Sequence, residues 1–377
     1  MIKVLHVITD LDQGGAEVAL LRLLEHSSSD IKHEVLSLVS KGKLRSKFES
    51  LSKVSDLGLD YGQMKISALY KLIKFSQTSQ WDVIQGWMYH GNIAASCLIK
   101  FQLQPSLIHG IRQCLYENQK MSLTSKLVLK LNAYLSKHAD ICLYNSKESI
   151  KHHLEVGFIS DNAKLWYNGF NLKELNSDLN KREQLRSKLG LDSKAFLIGS
   201  LGRDHPMKDY PTAFEALSKV SMIDENVHFV LGGKELDSNN IRLRQLVSKF
   251  DLPSDRIHLI GPVIDTQQFY SAIDCFLLSS MSEAFPNVLA EAMAFRVPVV
   301  STSVGEVSVI LGEYPGICNP RDSQQMAACL KQIISLNNKD RTKISATLHN
   351  RLRQQFSIQN YIEQIEKIYR NLSCKSA

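Results

Sequence analysis

The 377-residue sequence lacks the features that mark several classes of protein. No apolar run approaches the about 20 residues that a helix needs to cross a bilayer, so we expect no membrane-spanning segment. Its 19 glycines and 9 prolines are too few for a low-complexity or collagen-like chain. The 7 cysteines are scattered, without a Cys-x-x-Cys pair or a Cys/His pair at metal spacing. The sequence therefore predicts free thiols, and neither a disulfide framework nor a zinc site.

What is present is the composition of a globular protein with a large core, 44% hydrophobic and 22% charged. Residues 1–9 are typical of a first strand rather than of a signal peptide, which predicts a cytoplasmic protein. The net charge is +7, and residues 1–170 hold 20 Lys and Arg against 15 Asp and Glu. This excess suits an anionic substrate or an anionic membrane surface. No basic stretch is interleaved with stacking aromatics, so we expect no nucleic-acid partner.

Short apolar runs alternate with longer amphipathic ones, and the alternation restarts after a polar stretch at residues 176–194. This pattern predicts βαβ units and two doubly wound domains, with a single long sheet as the alternative. Residues 361–372 have an apolar face at helical spacing and predict a closing helix. The predicted strands are residues 2–8, 33–40, 81–87, 106–111 and 140–146, then 196–203, 227–233, 256–262, 275–280 and 297–303.

The first candidate site is the glycine pair Gly14 and Gly15, between the first strand and the first helix. Glycines let a ligand approach the backbone closely, and a helix N-terminus offers unpaired N–H groups to an anion. The alternative is an ordinary tight turn. The spacing differs from the Gly-x-Gly-x-x-Gly of a dinucleotide fold, which argues against a nicotinamide cofactor.

The second candidate site is the segment 199–217, in which Arg203 and Lys208 follow the end of a strand. Arginine can bind one phosphate through two parallel hydrogen bonds while lysine acts as a point charge, so the two together suit a diphosphate. Parallel α/β sheets bind ligands at the carboxyl ends of their strands. The alternative is a solvated basic loop.

The third candidate site is a short helix between two later strands. Pro286 suits the helix start and leaves the N–H groups of Asn287 and Val288 available to phosphate or sugar oxygens. Glu283 stands before the helix and Glu291 one to two turns along it. One carboxylate can therefore reach sugar hydroxyls and the other ribose hydroxyls. The alternative is that Glu283 caps the helix and Glu291 is a solvated surface residue.

The sequence E-A-F-P-N-V-L-A-E, which runs from Glu283 to Glu291, resembles the E-x7-E motif of retaining GT-B glycosyltransferases. More narrowly, it is similar to family 4, glycosyl transferases group 1, which includes many bacterial capsule, O-antigen and exopolysaccharide enzymes. Further segments resemble that family in the same order along the chain. They are the glycine loop at 7–17, the interdomain crossing at 167–171, the phosphate loop at 202–209 and the closing helix at 356–369.

This resemblance implies an α/β protein of the GT-B fold, with two Rossmann-like doubly wound domains that face a cleft. Residues 1–170 would form the acceptor-side domain, and residues 171–355 the nucleotide-sugar-binding domain. Residues 356–377 would be a closing helix that packs back on the first domain.

For the chemistry, the resemblance implies that Arg203 and Lys208 hold the donor's diphosphate while Glu283 binds hydroxyls of the transferred sugar. Breaking the glycosyl–phosphate bond builds negative charge on the diphosphate, which fixed cations and helix N–H groups can neutralise without a metal. No Asp-x-Asp motif offers obvious ligands for a metal-bridged diphosphate, so we expect neither a metal nor a cofactor. In this family the leaving phosphate is thought to deprotonate the incoming hydroxyl on the same face, which keeps the anomeric configuration.

For donor binding, the same resemblance implies that Glu291 accepts hydrogen bonds from the ribose hydroxyls and that Val263 contacts the base. Gly15, with Gly14 before it, would approach the diphosphate from the first domain. Contacts to the sugar would come from the backbone of Phe285, Pro286, Asn287 and Val288.

Two positions of the first domain are further candidates. His90 follows a strand and could lean over the sugar or the acceptor, with structural packing as the alternative. Many relatives carry a histidine after the next strand. There this chain has H-G-I-R-Q (109–113), and Arg112 falls nearest to that position.

Residues 121–139 predict a helix on which Lys126, Lys130 and Lys137 fall within about 40° of one another. A basic flank along an apolar stripe could rest on anionic lipid, and the alternative is a core helix with a solvated lysine edge. The stripe beside the lysines consists of Leu123, Leu127, Leu131 and Leu135.

Together these patterns predict a hexosyltransferase that moves a sugar, with retention, from a nucleotide-sugar donor to a lipid-linked or cell-surface glycan. UDP is the expected nucleotide and GDP the next. We expect the enzyme in the cytoplasm, and a peripheral membrane contact through residues 121–139 stays open beside the core-helix alternative. The alternatives are a nucleotide-sugar epimerase of the same fold and a non-catalytic homologue that binds nucleotide.

Overall fold

The computed structural model describes residues 1–60, 66–116, 121–192, 194–222 and 224–374. The chain divides into two compact units. The first unit holds Met1–Gly169 together with the C-terminal segment that begins at Ile358, and the second is Phe170–Ser357. No helix in the described parts of the chain is both long enough and apolar enough to span a membrane.

The first unit is built on a seven-stranded parallel sheet. The strand order is β3-β2-β1-β4-β5-β6-β7, so the chain builds outwards from β1 on one side and from β4 on the other. The inner strands are buried on both faces, which is why they appear in the sequence as continuous apolar runs. The strands are β1 (Ile2–Ile8), β2 (Ile31–Val39), β3 (Lys53–Leu59), β4 (Val83–Trp87), β5 (Ser106–Ile111), β6 (Ile141–Tyr144) and β7 (Ala163–Leu165).

Helices cover both faces of this sheet. Successive residues of β1 alternate between two apolar clusters, because side chains of a strand point to opposite faces in turn. One cluster includes Leu20 from the first helix, and the other includes Leu72 and Leu129 from the third and fifth. These helices are α1 (Gly15–His26), α2 (Arg45–Leu51), α3 (Ile66–Ser76), α4 (Met88–Leu98), α5 (Leu123–Ser136) and α6 (Lys147–Glu155).

The second unit repeats the plan with a six-stranded parallel sheet in the order β10-β9-β8-β11-β12-β13. Its strands are β8 (Phe196–Arg203), β9 (Val227–Lys234), β10 (Ile257–Gly261), β11 (Cys275–Leu278), β12 (Val299–Thr302) and β13 (Ile317–Cys318). Its helices are α7 (Leu179–Lys188), α8 (Tyr210–Ser221), α9 (Ile241–Lys249), α10 (Thr266–Ala272), α11 (Asn287–Ala294), α12 (Val307–Leu311), α13 (Ser323–Ser335) and α14 (Asn338–Gln355). The predicted α/β class with two doubly wound sheets is confirmed.

The last helix, α15 (Ile358–Ser373), belongs to the first unit although the whole second unit precedes it in the chain. Its buried face packs against α1, β1 and β4, and the Tyr361 hydroxyl donates a hydrogen bond to the Ala19 carbonyl at 2.9 Å. The Trp166 ring stacks on Tyr361 with centroids 4.4 Å apart. α15 therefore completes one face of the first sheet.

Candidate active site

In the second unit, two loops follow neighbouring strands at the same edge of the sheet. β8 and β11 are neighbours, and the chain continues from them in opposite directions, towards β9 and towards β12. Parallel α/β sheets bind ligands at such a switch point, outside the carboxyl ends of the strands. Arg203, Lys208 and Glu283 all lie at the end of β8 or in these two loops.

The best-defined contact of the site is an ion pair between the two loops. Lys208 Nζ lies 2.6 Å from Glu283 Oε1, and Ser280 Oγ donates a hydrogen bond to the same oxygen at 2.8 Å. Only 20% of the Lys208 side chain and 18% of the Glu283 side chain are exposed. Water therefore screens this pair less than it screens an ordinary surface ion pair.

Arg203 supplies a second cation. It is the last residue of β8, and its side chain is exposed. Its guanidinium makes no hydrogen bond or ion pair with any other described residue. Burial, together with the charges of Arg203 and Lys208, lowers the pKa of His205 in the same loop. The loop after β8 is therefore a basic site in which one cation is already paired with a carboxylate.

Backbone contacts fix the loop that carries Glu283. Ser279 Oγ donates a hydrogen bond to the Lys208 carbonyl at 2.6 Å, which ties the two loops together. Gly305 has a φ of 52°, and a Cβ atom on it would lie 2.2 Å from the Glu283 carbonyl oxygen. The left-handed backbone and this close approach both favour glycine at this position.

α11 begins directly after Pro286, which is the N-cap residue and not, as the sequence suggested, the first helical residue. As the N-cap residue, Pro286 provides no side-chain hydrogen bond to the first N–H groups of the helix. Phe285 and Pro286 are buried, whereas Asn287 and Val288 are half-buried. A ligand at this end of α11 would therefore meet backbone groups of Phe285 and Pro286 and not their side chains.

Glu291 lies on α11, and a buried tyrosine orients it. The Tyr270 hydroxyl donates a hydrogen bond to Glu291 Oε2 at 3.0 Å and lies 3.1 Å from the Val288 carbonyl. Burial, and then the charge of Glu291, raises the pKa of Tyr270 well above its ordinary value. Nothing in the sequence indicates this contact, because Tyr270 and Glu291 lie in different helices and 21 residues apart.

Val263 follows β10 and is half-buried. A Cβ atom on Gly232, at the end of β9, would lie 2.6 Å from Val263 Cγ2. Gly233 has a φ of 137°, and a Cβ atom there would lie 1.6 Å from the Gly202 carbonyl oxygen. Glycines therefore let the ends of β8 and β9 and the loop after β10 lie close together.

In the first unit, Gly14 and Gly15 follow β1, whose neighbour β4 starts the other half of the sheet. Gly14 is the N-cap residue of α1, and the carboxylate of Glu17 folds back over it. Burial, with the nearby charges of Asp10 and Asp12, raises the pKa of Glu17 to about 7.

Asp10 and Asp12 have Asp-x-Asp spacing, so the statement that no such motif offers ligands for a metal-bridged diphosphate overlooked this pair. No group of three His, Cys, Asp or Glu suited to a metal ion occurs within the described ranges.

His90 and Arg112 also belong to the first unit, but their surroundings differ. His90 lies in the first turn of α4 and is exposed, and its ring makes no hydrogen bond with the residues that the structure describes. The Arg112 guanidinium lies 5.0 Å from the Trp166 ring centroid and 5.6 Å from that of Trp87, and it donates a hydrogen bond to Asn168 Oδ1. Burial lowers the pKa of Arg112. Arg112 therefore packs inside the first unit, whereas His90 lies exposed after β4.

Solved structures share the architecture of both units. The crystal structure of Anabaena Alr3699/HepE in complex with UDP superposes with a TM-score of 0.83, covering 98% of this chain and 100% of that chain at 21% identity. A sucrose-phosphate synthase from Thermosynechococcus elongatus gives a TM-score of 0.79, with 100% of both chains covered at 16% identity. The protein has the GT-B fold.

Sequence comparison agrees with this GT-B assignment. Residues 181–351, slightly less than half of the chain, match the family Glycosyl transferases group 1.

The capsular polysaccharide glycosyltransferase CapM of Staphylococcus aureus is 27% identical, with 59% of each chain covered. The O-antigen glycosyltransferase WclY of Escherichia coli is 21% identical, with 98% of each covered. An uncharacterized glycosyltransferase of Methanocaldococcus jannaschii is 25% identical, and the match covers 62% of this chain and 58% of that protein. The matches to CapM and to the archaeal protein thus span about three fifths of those relatives. These three relatives are named as glycosyltransferases, which is the enzyme class predicted from the sequence.

Proposed function

We propose that this GT-B protein is a retaining glycosyltransferase that moves a sugar from a UDP-linked donor to a lipid-linked or cell-surface glycan. The contact between Lys208 and Glu283 is the observation that carries the proposal. A nucleotide-sugar donor has an anionic diphosphate next to a sugar rich in hydroxyls. A cation for the first group and a carboxylate for the second lie within hydrogen-bond distance at the switch point of the second sheet.

The two cations act on the leaving group. As the glycosyl–phosphate bond breaks, negative charge builds on the departing diphosphate, and Arg203 and Lys208 stabilise it more strongly than they stabilise the intact donor. Because Lys208 also pairs with Glu283, the diphosphate has to compete with that carboxylate for the ammonium group. Glu283 then accepts hydrogen bonds from hydroxyls of the transferred sugar.

The remainder of the donor is held by α11 and its neighbours. The N-terminal end of this helix favours negative charge and sugar oxygens. Glu291 accepts hydrogen bonds from the ribose hydroxyls, and Tyr270 holds its carboxylate in place. Val263 contacts the base. We propose that the fixed cations replace a bridging metal ion, so that transfer needs neither a metal nor a cofactor.

Retention follows from the side on which the acceptor attacks. The acceptor hydroxyl approaches the anomeric carbon from the face that the phosphate leaves, and a phosphate oxygen takes its proton. The bond to the acceptor forms where the bond to phosphate breaks, so the configuration is unchanged and no protein base is required. The resemblance of the segment from Glu283 to Glu291 to the E-x7-E motif supports this course.

The named relatives support the choice of donor and acceptor. Alr3699/HepE has been solved in complex with UDP-glucose, and it covers 98% of this chain at 20% identity. A relative from Escherichia coli is named UDP-Gal:alpha-D-GlcNAc-diphosphoundecaprenol alpha-1,3-galactosyltransferase. It is 23% identical, with 80% of this chain and 78% of that protein covered. UDP and a lipid-linked acceptor are therefore the first choices for this enzyme.

Thermal unfolding with UDP, GDP and ADP tests the donor site. A ligand at 100 times its Kd that binds only the folded protein adds about 2.7 kcal/mol of stability. We expect UDP to stabilise the protein with or without a chelator. Arg203→Ala should lose this effect, and Arg244→Ala, which removes an exposed arginine from α9, should keep it. Stabilisation by none of the nucleotides would contradict the proposal, and a larger effect of GDP would contradict UDP as the donor nucleotide.

A further inference from the structure

α5 exposes large apolar side chains along one side. Leu123 is 84% exposed and Leu127 68%, and Leu131 and Tyr134 are also exposed. Spacings of four, four and three residues place all four on the same side of the helix. The core contacts of α5 come from other positions, such as Leu129 and Ala133. The sequence had left open whether these leucines belong to the core. The exposed stripe does not.

A basic flank runs beside this stripe. Lys126, Lys130 and Lys137 are exposed, and none of them forms an ion pair with a described residue. Residues 121–139 contain no Asp or Glu. The lysines fall within about 40° of one another on the helix, between the exposed stripe and the core-facing side. The sequence expectation included Leu135 in the stripe, but this residue is half-buried and Tyr134 takes its place.

We propose that this face of α5 docks on an anionic lipid bilayer. Leucine and tyrosine side chains on one side of a helix can enter the boundary between headgroups and acyl chains, and adjacent lysines can contact the lipid phosphates. The unpaired positive charge complements a surface made negative by anionic lipids. The inference rests on the proposed function in one respect, since docking brings the enzyme to an acceptor that is itself linked to lipid.

A second copy of this chain fits the face less well. A two-fold symmetric dimer brings the same patch of both copies together. The lysines of one α5 would then lie close to those of the other, with no acidic side chain on either helix to compensate them. Like charges at such short range are unfavourable, whereas an anionic bilayer supplies the opposite charge.

Sedimentation with vesicles tests the inference. The full-length protein should bind vesicles of phosphatidylcholine that contain phosphatidylglycerol, and should bind pure phosphatidylcholine much more weakly. Lys126→Glu combined with Lys130→Glu should lower the partition coefficient at least about tenfold, because each basic side chain near an anionic surface contributes about a factor of five. Leu123→Ser combined with Leu127→Ser should lower it by a similar factor.

Matched variants control for charge and for exposed apolar surface. Lys339→Glu with Lys343→Glu makes the same change at the same spacing on α14, and Leu179→Ser removes an exposed leucine from α7. Both should bind vesicles as the wild type does. No binding to phosphatidylglycerol vesicles, or equal binding of all variants, would overturn the inference. So would a dimer, seen by sedimentation velocity, that the leucine variant abolishes.

The rise in thermal stability that UDP causes, measured on the wild type and on the same variants, tests the proposed function independently of this inference. If UDP still stabilises a variant that no longer binds vesicles, lipid docking is supported as a separate property of α5. If UDP stabilises the wild type while no protein binds vesicles, the inference fails and the proposed function stands.

Discussion

At the scale of single residues, Glu283 accepts hydrogen bonds from Lys208 and Ser280 on the same carboxylate oxygen. Glu283→Gln keeps the size of the side chain and removes its charge. We expect transfer to fall at least about 100-fold, because an interaction with the sugar in the transition state is lost. UDP should bind more tightly, because Lys208 no longer has a competing carboxylate.

The measurements for this variant are kcat with saturating donor and the Kd for UDP by calorimetry. Glu313→Gln changes an exposed glutamate of the same unit and should leave both values unaltered. Wild-type turnover in Glu283→Gln would show that this carboxylate does not act on the sugar.

Tyr270 acts on the site through Glu291 and is a positioning residue. Tyr270→Phe removes the hydrogen bond to Glu291 Oε2 and leaves the stacked ring in place. We expect KM for the UDP-sugar to rise about tenfold with little change in kcat, since one hydrogen bond to a charged group is lost.

Deoxynucleotides distinguish this role from a merely structural one. Wild-type protein should prefer UDP to its 2′,3′-dideoxy analogue, because Glu291 binds the ribose hydroxyls. Tyr270→Phe should reduce that preference. An unchanged ratio of the two Kd values would mean that Tyr270 does not position Glu291 for ribose.

The sequence identifies charged residues of the site more readily than their contacts. Arg203, Lys208 and Glu283 are polar residues at the ends of apolar runs, and that position is visible in the sequence. The contact between Lys208 and Glu283 depends on β8 and β11 lying side by side, which residues far apart in the chain do not reveal. Gly305 escapes notice because nothing in the sequence marks its left-handed backbone.

At the scale of elements, the first turn of α1 predicts a pH dependence of stability. The pKa of Glu17 is raised from 4.5 to about 7 in the folded protein, so the folded state binds this proton more tightly than the unfolded state. Stability should therefore be greatest below about pH 4.5 with respect to this group and fall as the pH rises through 7.

Glu17→Gln removes this titration. We expect the variant to be more stable than the wild type at pH 8 by about 1 kcal/mol, a value reduced for the partial exposure of Glu17. The difference should close towards pH 4, where Glu17 is protonated in both states. Urea unfolding at both pH values measures it, and a difference that does not vary with pH would contradict the assigned pKa.

α15 gives a prediction about packing. Ile365 is fully buried against the first sheet, and its neighbour Gln364 is exposed on the same helix. Ile365→Ala should lower the free energy of unfolding of the first unit by about 2–5 kcal/mol, because it leaves a cavity in the core. Gln364→Ala should change it by less than about 0.5 kcal/mol. Equal midpoints of urea unfolding for the two variants would contradict the placement of α15.

The strands that the sequence did not predict are all at sheet edges. β3 and β7 are the two edges of the first sheet, and β13 is an edge of the second. β3 contains two charged residues and a glycine, K-V-S-D-L-G-L, while β7 and β13 have three and two residues. Edge strands need less apolar sequence because fewer neighbours cover them, so they leave no continuous apolar run to recognise.

At the scale of the whole molecule, the two units follow one topology. In each, the chain builds outwards from a first strand, β1 or β8, and then starts again beside it with β4 or β11. Alternating apolar and amphipathic segments were enough to predict two such sheets. The order of the strands is a tertiary property that this alternation does not specify, and it is visible only in the structure.

The configuration of the transferred sugar in the product tests the proposed reaction most directly. Purified enzyme, a UDP-sugar with an α linkage and a lipid-linked acceptor are incubated together, and the product is examined by NMR. We predict UDP and an α-linked product, formed only when acceptor is present. A β-linked product would contradict retention. Conversion of the donor into its epimer without acceptor would indicate an epimerase. No turnover with any acceptor or UDP-sugar would contradict the proposed transfer itself.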